Sequence, residues 1–253
     1  YLILADKITL IDTVKKPFMN EMLERIASLT EPKNIEYIIS NHSEPDHSGC
    51  LSEMIDVLKP EKVFASTIGT QTLLQEFHSG HNIIPVKDGE SLSLGNLNVT
   101  FFETKMLHWP DSMVTYMPDD KLLFSQDAFG MHLATSERFA DEIDWSIVEY
   151  EGEKYFANII MPLSSVVLRT LGKISDLGIE IDIIAPDHGP IWRKDVEKII
   201  NLYTKWATQK PTNKAVIVYD TMWYSTEKMA KVIAEGLIDG GVSTKIMSLK
   251  SNH

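Results

Sequence analysis

Between residues 35 and 50 the chain reads IEYIISNHSEPDHSGC, an apolar run followed at once by His42, Glu44, Asp46 and His47. Two imidazoles and two carboxylates behind a strand repel one another or lose hydration unless a cation neutralises them. No other stretch constrains the fold as much. It asks for a strand that ends near residue 40 and for a metal at the turn that follows.

Three further apolar runs finish on groups of the same kind. VTFFETKML leads to His108, KLLFSQ leads to Asp127, and IDIIAP leads to Asp187 and His188. A single histidine or aspartate after a strand is usually a satisfied turn residue, so none of these stands alone. In α/β sheets, however, ligands gather outside the carboxyl ends of the strands, and four such endings are expected to converge. Carboxylates among imidazoles, without thiolate, make a hard and anionic site suited to iron or manganese, with zinc also possible. A carboxylate shared by two cations holds them roughly 3.5 to 4 Å apart. Asp127 is the candidate bridge.

Composition narrows the alternatives. Cys50 is the only cysteine, which excludes an internal disulfide and a thiolate metal site, and points to a reducing cytoplasm. The net charge of -12 argues against nucleic acid or an anionic membrane surface as the main partner. No run of eighteen apolar residues and no signal-like leader is read from the chain. Strand-like and helix-like patterns alternate, with a long helical stretch expected from Trp145 to Leu177 and another from Asp195 to Thr208. The polar, proline-containing TQKPTNK precedes a fresh apolar run, AVIVYD. It sets a domain at 1–207, a linker at 208–213 and a second domain at 214–253.

The motif His42-Ser43-Glu44-Pro45-Asp46-His47 is similar to the H-x-H-x-D-H pattern of the metallo-β-lactamase fold, with glutamate in place of the second histidine. With LHWPDS at 107–112, SQDAFG at 125–130 and PDHGPIW at 186–192, the whole chain closely resembles the flavodiiron proteins, also known as A-type flavoproteins or the rubredoxin:oxygen oxidoreductase family. The resemblance implies an α/β architecture: a metallo-β-lactamase-like αβ/βα sandwich carrying a non-haem diiron centre. It assigns His42, Glu44 and His108 to one iron, Asp46 and His188 to the other, and Asp127 to both. His47 either joins the second set or stands off while water takes its position. Trp109, Asp111 and His132 are candidates to orient these groups.

The segment after the linker, KAVIVYD, TMWYST, EKMAKVIAEGLIDGG and STKIMSL, resembles the first βαβ part of a flavodoxin-like doubly wound domain. A hydroxyl-rich turn opening a helix serves first as an N-cap. Its N–H groups also attract phosphate. The resemblance makes Thr221, Met222, Trp223, Tyr224, Ser225 and Thr226 candidates for binding FMN. About forty residues follow the linker, roughly a third of a flavodoxin domain. The start likewise falls after the family's first strands, so truncation at both ends is expected.

For function, the resemblance implies four-electron reduction of dioxygen to water, with FMN as the electron store and a rubredoxin-type protein as the donor. It also implies a head-to-tail homodimer or a dimer of dimers. Nitric oxide reduction to nitrous oxide at the same two irons is the competing activity, and a dizinc hydrolase of the same fold is the alternative class. The segments KPTNK and MWYSTEKMA, similar to oxygen-reducing members, favour dioxygen. Cys50 is expected to be a small buried hydrophobe, and His78 and His81 to be surface groups.

Overall fold

Along the strands, side chains alternate between two cores, and this alternation fixes a layered architecture. The computed structural model describes residues 1–77 and 80–250; His78 lies outside the described residues. They form two compact units, Tyr1–Thr208 and Gln209–His253.

In the first unit, β1 (Leu2–Ile3), β2 (Thr9–Ile11), β3 (Tyr37–Ser40), β4 (Lys62–Ser66) and β5 (Ile83–Val86) form one sheet in that order. β1 is antiparallel to β2, and the remaining pairs are parallel. Leu10, Ile38, Val63 and Ala65 point to one side, where they meet Ile26 of α1 (Met19–Ala27). The one-turn α2 (Pro45–Ser48) then leads to α3 (Leu51–Leu58), whose Leu51, Met54 and Leu58 join the same cluster, as does Leu73 of α4 (Thr67–Phe77). Ile11, Tyr37, Ile39 and Phe64 point the other way, to the second sheet.

That sheet has the order β10-β9-β8-β7-β6, from β6 (Ser91–Ser93), β7 (Asn98–Glu103), β8 (Met113–Met117), β9 (Leu122–Gln126) and β10 (Ile183–Pro186). Val99, Phe101, Met113, Phe124 and Ala185 complete the core between the sheets. Ile184 faces outward to a cluster supplied by α5 (Trp145–Tyr155), α6 (Ser164–Asp176) and α7 (Val196–Ala207). The layers are helices, sheet, sheet, helices.

Strand direction is what places the site. β8 is antiparallel to both β7 and β9, so those two run the same way, and β10 is parallel to β9. The carboxyl ends of β7, β9 and β10 therefore share one edge.

Two features differ from the sequence reading. The helical stretch from Trp145 is broken by a π turn at Phe156–Ile160 and a 3-10 turn at Met161–Leu163, because Pro162 has no N–H to continue an α-helix. By length and composition alone Trp145–Asp176 would suffice to cross a membrane, yet Val148, Tyr155, Phe156, Ile160 and Val167 are buried in the protein core. β8, which the sequence pattern does not mark as a strand, is buried on both faces, so its sequence lacks the alternation that marks one. β6 is too short to carry a pattern.

The second unit is a single βαβ turn. β11 (Lys214–Tyr219) pairs in parallel with β12 (Ser243–Ser248), and α8 (Ser225–Asp239) connects them, burying Ala230 and Ala234.

Phe101 is 1% exposed at the centre of the inter-sheet core. Phe101→Ala should cost about 3–5 kcal/mol in urea unfolding followed by circular dichroism, because the cavity it leaves cannot collapse between two sheets.

Candidate metal centre

Each approach to the site is held by short-range bonds that leave the side chains little freedom. Past β3, Asn41 N–H donates to Asp12 Oδ1 at 2.7 Å and Ser43 N–H donates to Asp111 Oδ2 at 2.7 Å. Asn41 O accepts from Met113 N–H, and Asn41 Oδ1 from the Thr115 hydroxyl, which ties the motif to β8 of the other sheet. Pro45 then opens α2, whose His47 and Ser48 N–H groups both donate to Glu44 O. This turn lets Glu44, Asp46 and His47 leave the backbone in different directions.

The other strands deliver single groups. His108 follows a cis peptide at Leu107 in the loop between β7 and β8. Gln126 closes β9 at φ 48°, an uncommon backbone for a non-glycine residue. Its Nε2 donates to Leu107 O at 3.0 Å, fastening the loop of His108 to that of Asp127. After β10, His188 is followed by Gly189 at φ 82°, where a Cβ would lie 2.7 Å from Met131 Cγ. Only glycine turns the chain there without displacing His188.

These approaches bring the seven sequence-predicted groups into two sets, His42, Glu44, His108 and Asp127 in one, and Asp46, His47 and His188 in the other. Asp127 stands between them. Its Oδ2 is 3.2 Å from His42 Nε2 and 3.1 Å from His108 Nε2, and its Oδ1 is 3.1 Å from His47 Nε2 and 3.2 Å from His188 Nε2. Glu44 Oε2 lies 3.2 Å from His42 Nε2 and 3.1 Å from His108 Nε2, and Asp46 Oδ2 lies 3.1 Å from His188 Nε2. Two donors at right angles, each about 2.1 Å from one ion, are about 3.0 Å apart. The donor set therefore fits two cations, one on each oxygen of Asp127.

Without a cation, protons must do the same work. Burial disfavours charge on His42, but Asp111, Asp127 and Glu44 outweigh it and lift its pKa to about 11. Burial is likewise outweighed at His47, by Asp127 and Asp187, to about 12, and at His188, by Asp127 and Asp46, to about 9. Asp127 goes down despite burial, because His108, His188, His42 and His47 surround it. The site demands positive charge in either form.

Exposure gives the site a floor and a rim. His42, His47 and Asp127 are 0%, 2% and 2% exposed, whereas Glu44, Asp46, His108 and His188 range from 17% to 31%. A cavity of about 760 Å³ also reaches Asp46, His47, Asp187 and His188 from the side of β2 and α1.

Around the floor, Asp111 Oδ1 is 3.7 Å from His42 Nδ1, and the Trp109 ring meets His42 edge-on at 5.4 Å. His132 packs against His188 and Tyr155, with ring centres 5.6 and 4.8 Å away. Asp187 Oδ2 lies 3.2 Å from His47 Nδ1. The sequence reading passed over Asp12 and Tyr155. Asp12 is buried at the end of β2 and its pKa is pushed up to about 8 by burial and by Asp187. The strand ending ITLID was the signal. The Tyr155 hydroxyl donates to Asp127 Oδ1 at 3.3 Å, and a tyrosine inside a helix gives no local sign of that.

In the second unit, Thr221, Met222, Trp223 and Tyr224 form the turn before α8, and Ser225 and Thr226 are its first residues. Met222, Trp223 and Tyr224 are exposed, and among the described residues no side chain caps the helix start. Its first N–H groups remain open to an anion. Cys50 is buried at the N-cap of α3, while His81 is half-buried, 3.0 Å from the Ser52 hydroxyl, so it is not a free surface group.

A shared carboxylate between two imidazole-carboxylate sets at the edge of an αβ/βα sandwich defines a dinuclear metallo-β-lactamase-like centre. Residues 1–189 match the family model described as ODP family beta lactamase, and the chain belongs to that family. Along its length it is similar to flavodiiron proteins. It is 43% identical over 250 residues to a nitric oxide reductase of Moorella thermoacetica, covering 98% of this chain and 63% of that protein. The solved rubredoxin oxygen:oxidoreductase of Desulfovibrio gigas superposes with a TM-score of 0.97 at 44% identity, covering 100% of this chain and 64% of that one. The flavodiiron protein of Giardia intestinalis gives 0.93 at 34% identity, covering 100% and 62%. The chain thus spans less than two thirds of each.

Asp111→Ala should destabilise the first unit by about 1–3 kcal/mol in urea unfolding, because it leaves the buried Ser43 N–H without an acceptor. Asp111→Asn, which keeps an acceptor oxygen, should recover most of the loss.

Proposed function

We propose that the chain carries the diiron centre of a flavodiiron oxidoreductase that reduces dioxygen to water in the cytoplasm. The observation that carries this reading is the division of labour on Asp127, one oxygen to each set of donors. His42, Glu44 and His108 would hold one iron, Asp46, His47 and His188 the other, and Asp127 both. Glu44 supports iron over zinc, since a carboxylate in place of an imidazole makes the set harder and more anionic.

Two ferrous ions held by these residues would supply two electrons and bound reduced FMN two more, the four that dioxygen needs to become water. The chain's own residues do the rest. Asp111 and Asp187 orient His42 and His47 from behind, the buried floor keeps Asp127 fixed, and the half-exposed rim leaves an approach for a small reactant. In the second unit, the N–H groups of α8 with Thr221, Ser225 and Thr226 would receive the FMN phosphate, and Met222, Trp223 and Tyr224 would flank the flavin. A rubredoxin-type carrier would refill the flavin. A head-to-tail dimer would bring one subunit's flavin to the other's irons.

Nitric oxide is the second substrate that an observation favours. Identity to the protein named a nitric oxide reductase, 43%, nearly equals the 44% to the protein named an oxygen reductase.

Metal analysis of protein purified anaerobically from cells given both iron and zinc tests the reading. Close to two irons per chain is expected, and two zincs with ester hydrolysis would overturn it. Asp127→Ala should lose both irons, whereas His108→Ala should lose about one, because only Asp127 serves both sets.

A further inference from the structure

Behind the metal centre lies a second, small apolar space. It is lined by Leu107, Val114, Leu123, Ala128, Phe129 and Val167, with Leu171 and Ile174 of α6 among the remaining walls. The centre of a water-sized sphere has about 20 Å³ in which to move there, and no polar surface faces it. Of the hydroxyls at its edge, those of Thr104, Ser125, Thr170 and Tyr203, two are turned to other partners: Ser125 Oγ donates to Ala128 O at 2.7 Å, and Tyr203 Oη accepts from Phe129 N–H at 2.7 Å. Thr104 Oγ1 alone is buried without a partner. A cavity of this kind stays dry and takes up xenon or other apolar guests, since a water inside it would forgo its hydrogen bonds.

Its position gives the space a use. Leu107 directly precedes His108, and Ala128 and Phe129 directly follow Asp127. The two backbone segments that carry these metal-facing side chains thus form one wall. On the opposite side, Leu171 and Ile174 are only half-buried, so one helix face separates the cavity from solvent.

We propose that this cavity binds the neutral, apolar diatomic substrate and is a station on its way to the metal centre. The identity of the gas rests on the flavodiiron reading; the affinity of the cavity for an apolar gas does not. Occupation needs no charge, and it raises the concentration of gas one backbone layer from Asp127.

Crystals of the full-length iron-loaded protein pressurised with xenon test the site directly. An anomalous peak between Leu107, Ala128 and Val167 is expected, and it should persist in Thr104→Val. An ordered water on Thr104 Oγ1 with xenon excluded would overturn the proposal. Leu171→Phe and, from the adjoining turn, Ile174→Phe should fill the space and abolish the peak. Each should raise KM for dioxygen and for nitric oxide by about threefold or more, with kcat at saturating gas unchanged, the signature of lost substrate binding. A filled cavity with unchanged KM would overturn the role as a station. Wild-type protein that consumes neither gas would overturn the flavodiiron reading instead, while the xenon peak still decides whether the cavity holds an apolar gas.

Discussion

Four imidazoles share one buried carboxylate, and the architecture of the first unit is arranged to make that possible. Asp127 is the last place where a negative charge would settle by itself, enclosed by protein and facing Glu44 and Asp46 across the site. What holds it there is positive charge on both sides, from metal or from protonated imidazoles, and breaking a buried ionic cluster on one side leaves the other uncompensated. The groups come from both sheets, so the packing of Ile39 and Phe64 against Phe101 and Phe124 also sets the distance between donors. Stability and site geometry rest on the same core.

The second constraint is orientation. A histidine ring can turn about its χ angles, and a site that relies on Nε2 must fix Nδ1 from behind. Asp111 stands behind His42 and Asp187 behind His47, and each residue is also hydrogen-bonded to a ligand-bearing loop other than its own. Asp111 receives the Ser43 N–H, and Asp187 N–H donates to Gln126 O beside Asp127. The loops therefore cannot shift independently. A displacement of one strand end would be felt at both halves of the centre.

Much of this was legible in the sequence, and the reasons differ residue by residue. His42, Glu44, Asp46 and His47 are legible because charge cannot be crowded behind a strand without a neutralising partner, an argument that needs no structure. His108, Asp127 and His188 are legible once strand ends are compared, since sheet topology gathers carboxyl ends at one edge. Tyr155 was not legible, because its position depends on how a helix with a π turn lies against the sheet. β8 escaped notice for the opposite reason: a strand buried on both faces has no period. Asp12 shows the rule applied unevenly, for it too follows a strand and reaches the centre through Asn41.

The second unit marks where local pattern stops being enough. Its turn and helix start are specified by a few neighbouring residues, so a helix start that attracts anions can be read from TMWYSTEK alone. A flavin pocket is different, because ring-binding walls come from loops distant in sequence. Two paired strands and one helix leave Val216 and Val218 more than half exposed, and a two-stranded sheet of this kind has little independent stability. The larger apolar core of the described residues lies in the first unit, where the inter-sheet core and the metal site reinforce each other.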